Sequence, residues 1–425
     1  MITGEGSLEK RLTEKEIEDI CAASLDPILL DGARVLVLIP DHTRHAPIDL
    51  FFRIIHRILA HSVTALDFLV ATGTHQAMSM ERIYRHVGIT GEEHRAKYTG
   101  VRFYNHEHDN AGALISIGAI PAREIHSISG GLFNEDIPVT INRKILEYDH
   151  VVIVSPVVPH EAVGFSGGNK YFFPGCGGVD ITQTLHWIAA IITNPVVNGV
   201  KDSPTRKVID RAAALLQVQR TCFAFAVDDH DRLACLFAGD PEEAWSRAAD
   251  YSAIMHINYV ERPYRQVLGV TPSIYEEVWV GGKAMYKLEP IVADGGELII
   301  YGPQMREISF VHGEEIRRIG YHVRDYFLKQ WDLFRHESKL ILAHSTNVRG
   351  IGTFETGTEH PRIAVTLATS IPEDVCRSVN LGYRDPRSIN LDEWRRRQDD
   401  DLLVVENAGQ VLYRPRKEST MSIPL

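Results

Sequence analysis

The residues best equipped for chemistry lie between Pro159 and Trp187: His160, then Gly164-Phe165-Ser166-Gly167-Gly168-Asn169-Lys170, then His186. Two imidazoles flank a lysine, ten residues before it and sixteen after it, and the glycines between them let backbone approach a ligand closely. Imidazole exchanges protons near neutrality and ligates metals as the neutral base. The segment is therefore a template for a reactive site and not a packing pattern.

Two familiar motifs overlap this loop. A phosphate-binding P-loop needs Gly-Lys-Ser/Thr after four spacer residues, but Lys170 follows Asn169 and precedes Tyr171, which argues against a nucleotide triphosphatase. Gly164 to Gly168 also spells Gly-x-Ser-x-Gly, which would make Ser166 the nucleophile of a hydrolase. Such an elbow sits directly on a strand end, whereas the apolar run Val151 to Val154 is separated from Ser166 by Pro156, Pro159 and a charged pair. The hydrolase is retained as the second reading.

The elements that must position these residues follow an alternating rhythm. Arg34 to Ile39 reads as a buried strand, Asp41-His42-Thr43-Arg44 as a polar loop, and Leu50 to Leu59 as an amphipathic helix. Ala65 to Ala71 reads as a second strand, leading through Thr72-Gly73-Thr74-His75 to a helix from Ser79 to His86. This alternation predicts an α/β fold of two domains with largely parallel sheets and ligand residues at the carboxyl ends of strands. The expected domains are 1–265, completed by 402–425, and 266–401, with the cleft between them as the ligand site. In the second domain the reading is a strand at Gln266 to Val270, a helix from Ala284 to Val292 stopped by Asp294-Gly295-Gly296, and a strand at Glu297 to Tyr301. Helices are expected around Glu314 to Ile319 and Val323 to Phe334. Strands are expected at Lys339 to Ala343 and Ile363 to Leu367, and a hairpin around Asn407-Ala408-Gly409.

Composition narrows the function classes. The chain has 425 residues, 44% of them hydrophobic, and a formal net charge of −11, which speaks against nucleic acid as a partner. No stretch approaches the roughly 18 apolar residues of a membrane span, and Met1 to Asp19 has no apolar leader core, so a cytoplasmic protein without a membrane partner is expected. The five cysteines lack any Cys-x-x-Cys pair, and Cys176 near the lysine reads as a small buried residue. His106 and His108, with their flanking carboxylates, resemble a metal pair in isolation, but such His-x-His segments are common on solvated surfaces.

Taken together, Asp41-His42-Thr43-Arg44, Ala71-Thr72-Gly73-Thr74-His75, the run from His160 through Ser166-Gly167-Gly168 to Lys170 and Pro174-Gly175, and His186 resemble the lactate racemase family. The resemblance implies racemisation or epimerisation at C2 of a 2-hydroxy carboxylate substrate. It also implies a cofactor, the nickel-pincer nucleotide, a pyridinium-3,5-bisthiocarboxylic acid mononucleotide covalently attached at Lys170. His186 would be the nickel ligand, and hydride transfer to the cofactor through a planar keto acid would invert the centre. Cofactor-biosynthesis enzymes would be required as maturation partners. His75 and His160 would be the acid/base pair, and Arg44 and Lys283 would hold the carboxylate. Asp41 and Thr43 would lie at the cofactor, and the amides of Gly167 and Gly168 would cradle its phosphate. The residue chemistry agrees, since nickel accepts a single imidazole when other donors complete a square plane. A binder that keeps the tether but has lost turnover is the third reading.

One segment departs from the lactate-type pattern. Trp279-Val280-Gly281-Gly282-Lys283 stands where a Tyr-Gln-Ser-x-Lys-like stretch is expected. Two glycines there suggest room for a longer substrate, such as an aldonate, with Trp331 either walling the pocket or in the core.

Overall fold

The apolar runs of the first half are continuous, not alternating, because both faces of their sheet are covered. In the computed structural model, which describes residues 2–25, 30–397, 399 and 401–416, the chain divides into two units. The first comprises Met1–Leu185 and Lys201–Met255, the second His186–Val200 and His256–Leu425.

The first unit is built on a seven-stranded sheet in the order Thr3–Gly6, Leu233–Gly239, Gln219–Val227, His150–Pro156, Arg34–Ile39, Ala65–Val70, Phe103–Asn105. The five strands from Gln219–Val227 to Phe103–Asn105 are parallel, and the other two are antiparallel. Val35 and Val37 project into one layer of core with Phe51, Phe52 and Ile55 of the helix Ile48–Leu59, while Leu36 and Leu38 are equally buried on the other face. Phe52 lies 5.1 Å from Phe68 and 5.1 Å from Tyr98, measured between ring centroids, so this aromatic cluster fixes the helix against the sheet.

The second unit carries a five-stranded, all-parallel sheet in the order Gly382–Tyr383, Ala364–Thr369, Val292–Gly302, Tyr264–Val270, Leu402–Val405. Leu268, Ile299 and Ala368 form its core with Ile389. The α/β class and the parallel sheets therefore stand as expected. The domain boundaries do not. Leu402–Val405 pairs with Tyr264–Val270, and Leu412–Pro415 pairs in parallel with Ile257–Val260, so the segment after 402 belongs to the second unit and is not a self-paired hairpin. Residues 417–425 lie outside the described residues. The stretch 186–200 also joins the second unit, which no composition change announces.

Two local readings change for physical reasons. Lys339–Arg349 is a helix and not a strand: Ile341 through Thr346 are all buried, and a run buried all round has no periodicity to separate the two. The helix after Lys283 ends at Leu288, and Asp294-Gly295-Gly296 lies inside the strand Val292–Gly302. There Gly295 adopts φ +72° beside a register irregularity, the backbone requirement of a bulge. Val323 to Phe334 is two short helices, Arg324–Leu328 and Trp331–Phe334.

Phe52 is fully buried. Its replacement by alanine is expected to cost about 3–5 kcal/mol, read as a lower urea midpoint with an unchanged slope.

Candidate active site

The order of strands in the first sheet decides where a ligand can be met. The chain runs from Arg34–Ile39 outward to Ala65–Val70 and Phe103–Asn105, then returns to His150–Pro156 on the other side of Arg34–Ile39. The loops leaving the carboxyl ends of Arg34–Ile39 and His150–Pro156 therefore diverge, opening the crevice in which ligands of such sheets bind. Asp41 to Arg44 leave one of these ends, His160 to Lys170 follow the other, and His75 follows the adjacent strand. The expectation that these residues share strand-end positions is met.

The lysine loop is held by residues that sequence patterns do not reveal. Gly167 and Gly168 have φ of +89° and +59°, and a Cβ would fall 2.6 Å from Ser155 Oγ at the first and 2.9 Å from Trp245 Cβ at the second. The amide of Gly168 donates to Ser155 Oγ at 2.8 Å. That amide is thus already used, so the expected phosphate cradle does not include it; the glycines are there because the backbone passes too close to Ser155 and Trp245 for a side chain. Arg206 donates to the carbonyls of Phe165 at 2.7 Å and Gly167 at 3.3 Å, and stacks on Trp245, whose indole N–H donates to the Ser166 carbonyl at 2.8 Å. Burial lowers this guanidinium to about 10. The helix carrying Arg206 announces its start with Ser203 and Pro204, but no spacing marks the arginine as buried.

This clamp presents Lys170 in an unusual electrostatic setting. Burial, joined by the positive charges of Arg44 and Arg206, lowers its amine to about 7, against the opposing pull of Glu161 and Asp41. A large fraction is thus the neutral, nucleophilic amine at physiological pH. The influence of Arg44 and Asp41 on Lys170 shows that the loops after the two diverging strands come together.

Asp41 and His75 form a dyad. His75 Nδ1 lies 2.5 Å from Asp41 Oδ2, and Asp41 Oδ1 accepts from the Thr43 amide at 3.0 Å and the Thr43 hydroxyl at 2.6 Å. Burial alone would raise the Asp41 carboxyl, but these hydrogen bonds hold it well below the usual carboxylate range. An ionised Asp41 assigns the ring proton to His75 Nδ1 and leaves Nε2 as the basic nitrogen, on a side chain that is 49% exposed. His160 has the opposite arrangement: its Nδ1 accepts the Ala162 amide at 3.1 Å, which assigns the ring proton of the neutral form to Nε2. Glu161 Oε2 lies 3.8 Å from the same Nδ1.

His186 and Lys283 belong to the second unit. His186 is on the helix Val179–Ile192, and the next residue, Trp187, is fully buried and stacks on Trp331 with centroids 5.6 Å apart and planes 8° apart. Trp331 therefore packs on the helix that carries His186. Lys283 is exposed at the start of a short helix, its ammonium 5.9 Å from the Tyr275 ring centroid. The two glycines before it do not open space. A Cβ at Gly281 would meet Met305 Cε at 2.3 Å, and one at Gly282 would meet Val348 Cγ2 at 2.7 Å and His344 Cε1 at 3.3 Å. The argument from these glycines for a longer substrate is overturned, because core side chains fill the volume.

Ser166 is not a nucleophile elbow. Its hydroxyl donates to the Pro156 carbonyl at 3.0 Å and accepts the Val158 amide at 2.9 Å, and it precedes only a single 3-10 turn, Gly168–Tyr171. Its role is to close the 156–166 loop. His106 is buried and not on a solvated surface: its Nε2 pairs with the Gly177 carbonyl at 3.0 Å, and burial lowers it to about 4. Cys176 is buried as expected. Among the described residues, no cluster of three or more His, Cys, Asp or Glu could hold a metal by itself, and no helix is long and apolar enough to cross a membrane.

Comparison with known proteins bears on the family and the fold. Residues 6–197 match the family described as the lactate racemase N-terminal domain. A crystal structure of a protein from Thermotoga maritima is 32% identical, with a TM-score of 0.79 over 96% of this chain and 99% of the other. Residues 6–197 belong to the lactate racemase N-terminal domain family. The lactate racemase of Thermoanaerobacterium thermosaccharolyticum is 26% identical over 310 residues, which are 69% of this chain and 63% of that relative, so the aligned part spans less than two thirds of its length. The apoprotein structure of lactate racemase from that organism superposes with a TM-score of 0.68 at 18% identity over 95% of this chain and 93% of the other, which bears on the fold.

Two outcomes test this geometry. The rate of amine-selective acylation at Lys170, followed by peptide mass spectrometry, should reach half its plateau near pH 7, and Arg44→Ala should move that midpoint upward. Gly168→Ala forces a strained φ against Trp245 and is expected to lower stability by about 1–3 kcal/mol in denaturant titrations.

Proposed function

We propose that this chain is an isomerase, a racemase or epimerase acting at C2 of a 2-hydroxy carboxylate, with the nickel-pincer nucleotide attached at Lys170. The observation that carries the reading is the lowered proton affinity of Lys170 on its clamped loop, beside the Asp41–His75 dyad. An amine with that affinity suits thioamide formation at a thiocarboxyl group, in which the oxygen leaves as water and the sulfur is kept, and attack requires the neutral form. His186 would supply the one imidazole such a nickel centre needs from the chain.

When bound, the cofactor supplies the acceptor and donor of the C2 hydride. The side chains handle the proton and the carboxylate. His75 takes the hydroxyl proton on Nε2 while Asp41 stabilises the imidazolium through Nδ1. Inversion needs a second acid/base group on the opposite face as well, and His160 is the imidazole proposed for that role, acting as acid in its imidazolium form. Arg44 offers a planar two-pronged donor set to the carboxylate and Lys283 a point charge. The filled space at Gly281 and Gly282 gives no reason to prefer an aldonate over a shorter 2-hydroxy acid.

The test uses protein produced together with the cofactor-biosynthesis enzymes, assayed by intact mass, nickel content and chiral analysis over a panel from lactate to aldonates. Lys170→Ala should abolish the mass adduct. His75→Ala and His160→Ala should keep the adduct and lower the inversion rate by about 10²–10⁴-fold. Turnover by a holoenzyme without adduct or metal would falsify the assignment, and full activity in either histidine variant removes that residue from the mechanism. A retained adduct with no exchange of C2 deuterium on any panel member identifies a cofactor binder instead.

A further inference from the structure

The second unit contains a cavity of about 530 Å³ that no part of the proposed reaction uses. It opens at the amino ends of the strands: Gly295 lies near the start of Val292–Gly302, Ala364 to Thr366 begin Ala364–Thr369, and Gly382 begins Gly382–Tyr383. The carboxyl ends of this sheet, which lead towards Lys283, are at the other edge. The volume falls in the range of small-molecule sites.

Its lining has three arginines, Arg349, Arg362 and Arg377, and no acidic residue, in a chain whose net charge is −11. Arg362 is the structural member: it donates to the carbonyls of Val292 and Glu289 at 2.7 Å each and to Asp294 at 3.0 Å. Glu289 also lies 4.0 Å from it, but burial raises that carboxyl and favours its neutral form. Arg377 is exposed at the rim and pairs with Glu373 at 2.7 Å.

Arg349 differs from both. It is half-buried at the end of the helix Lys339–Arg349, its Nε is shielded from solvent, and it makes no hydrogen bond or ion pair with any described residue. Glu359 is the acidic group within electrostatic reach, but its carboxylate is engaged by the Val323 amide at 2.8 Å, His322 at 2.8 Å and Asn380 at 2.7 Å. A shielded Nε–H without an acceptor is costly, whereas a guanidinium that meets a planar oxyanion forms strong charge-assisted bonds.

We propose that this cavity binds the oxyanion group, phosphoryl or carboxylate, of a small molecule, with Arg349 as its principal ligand and Arg377 as a second cation at the rim. The site is independent of the Lys170 chemistry and of any turnover there.

The full-length protein is titrated with inorganic phosphate and, separately, with acetate, at constant ionic strength set by chloride, and binding is followed by calorimetry and thermal shift. Wild type should bind at least one of the two anions; a response to phosphate alone marks a phosphoester ligand, and a response to acetate a carboxylate. Arg349→Met should weaken that binding by about tenfold or more, as expected for loss of a charge-assisted hydrogen-bonding group. Arg377→Gln, an exposed change that leaves the core untouched, should weaken it less. Arg44→Ala and Lys283→Ala should leave it unaltered. Binding that survives both Arg349→Met and Arg377→Gln, binding lost in the Arg44 or Lys283 variant, or no response to either anion overturns the proposal. Should Arg349→Met fail to fold, Arg377→Gln decides the question.

Discussion

The organisation of the first unit depends on one buried cation. Arg206 gives its Nη donors to backbone carbonyls of the 165–167 segment and its face to Trp245, and so fixes from outside a loop that itself packs only Phe165, Ser166 and Asn169. Its glycines lose the most entropy on ordering, so at those positions the shape is imposed by neighbours. Here a guanidinium, an indole N–H and the Ser155 hydroxyl impose it. The consequence reaches Lys170, whose amine is held among Arg44, Arg206 and apolar walls in a setting that disfavours its charge.

The acidic groups behind the loop complete the balance. Asn169 donates to Asp210 at 2.9 Å, Asp210 Oδ1 lies 4.0 Å from Arg206 Nη1, and burial pushes the carboxyls of Asp210 and Glu242 upward. Asp41, held ionised on the other side, serves His75 first: two of its contacts come from Thr43 and one from the imidazole. Asp41 thus serves His75 by direct contact while its charge also acts on Lys170.

What the sequence disclosed, and what it hid, follows from which interactions are local. Strand runs such as Arg34–Ile39, and the polar loops at their ends, are legible because continuous apolar residues followed by Asp41 or Gly73 leave few alternatives. The Asp41–His75 pair was visible as two motifs but not as a bond, since 34 residues separate its members. Arg206 and Trp245 were invisible for the same reason, lying 41 and 79 residues from the carbonyls they hold. Gly281 and Gly282 were misread because a glycine says that a side chain does not fit without saying whether ligand or core fills the space; Met305 and Val348 fill it. The helix Lys339–Arg349 and the pairing of Leu402–Val405 depend likewise on partners distant in sequence.

The two histidines differ in what engages the same ring nitrogen, a side-chain carboxylate at His75 and a backbone amide at His160. His75 faces a carboxylate through Nδ1, which fixes a proton there and leaves Nε2 as base. His160 meets an amide donor at the same atom, which fixes a lone pair there and, in the neutral ring, the proton on Nε2. A racemase must deliver a proton to whichever face its substrate presents, so its two acid/base groups have to start a turnover in different protonation states and exchange them by its end. The carboxylate at one ring and the peptide N–H at the other set different tautomers of the neutral imidazoles, with Nε2 bare in His75 and protonated in His160, a difference of tautomer and not of net protonation.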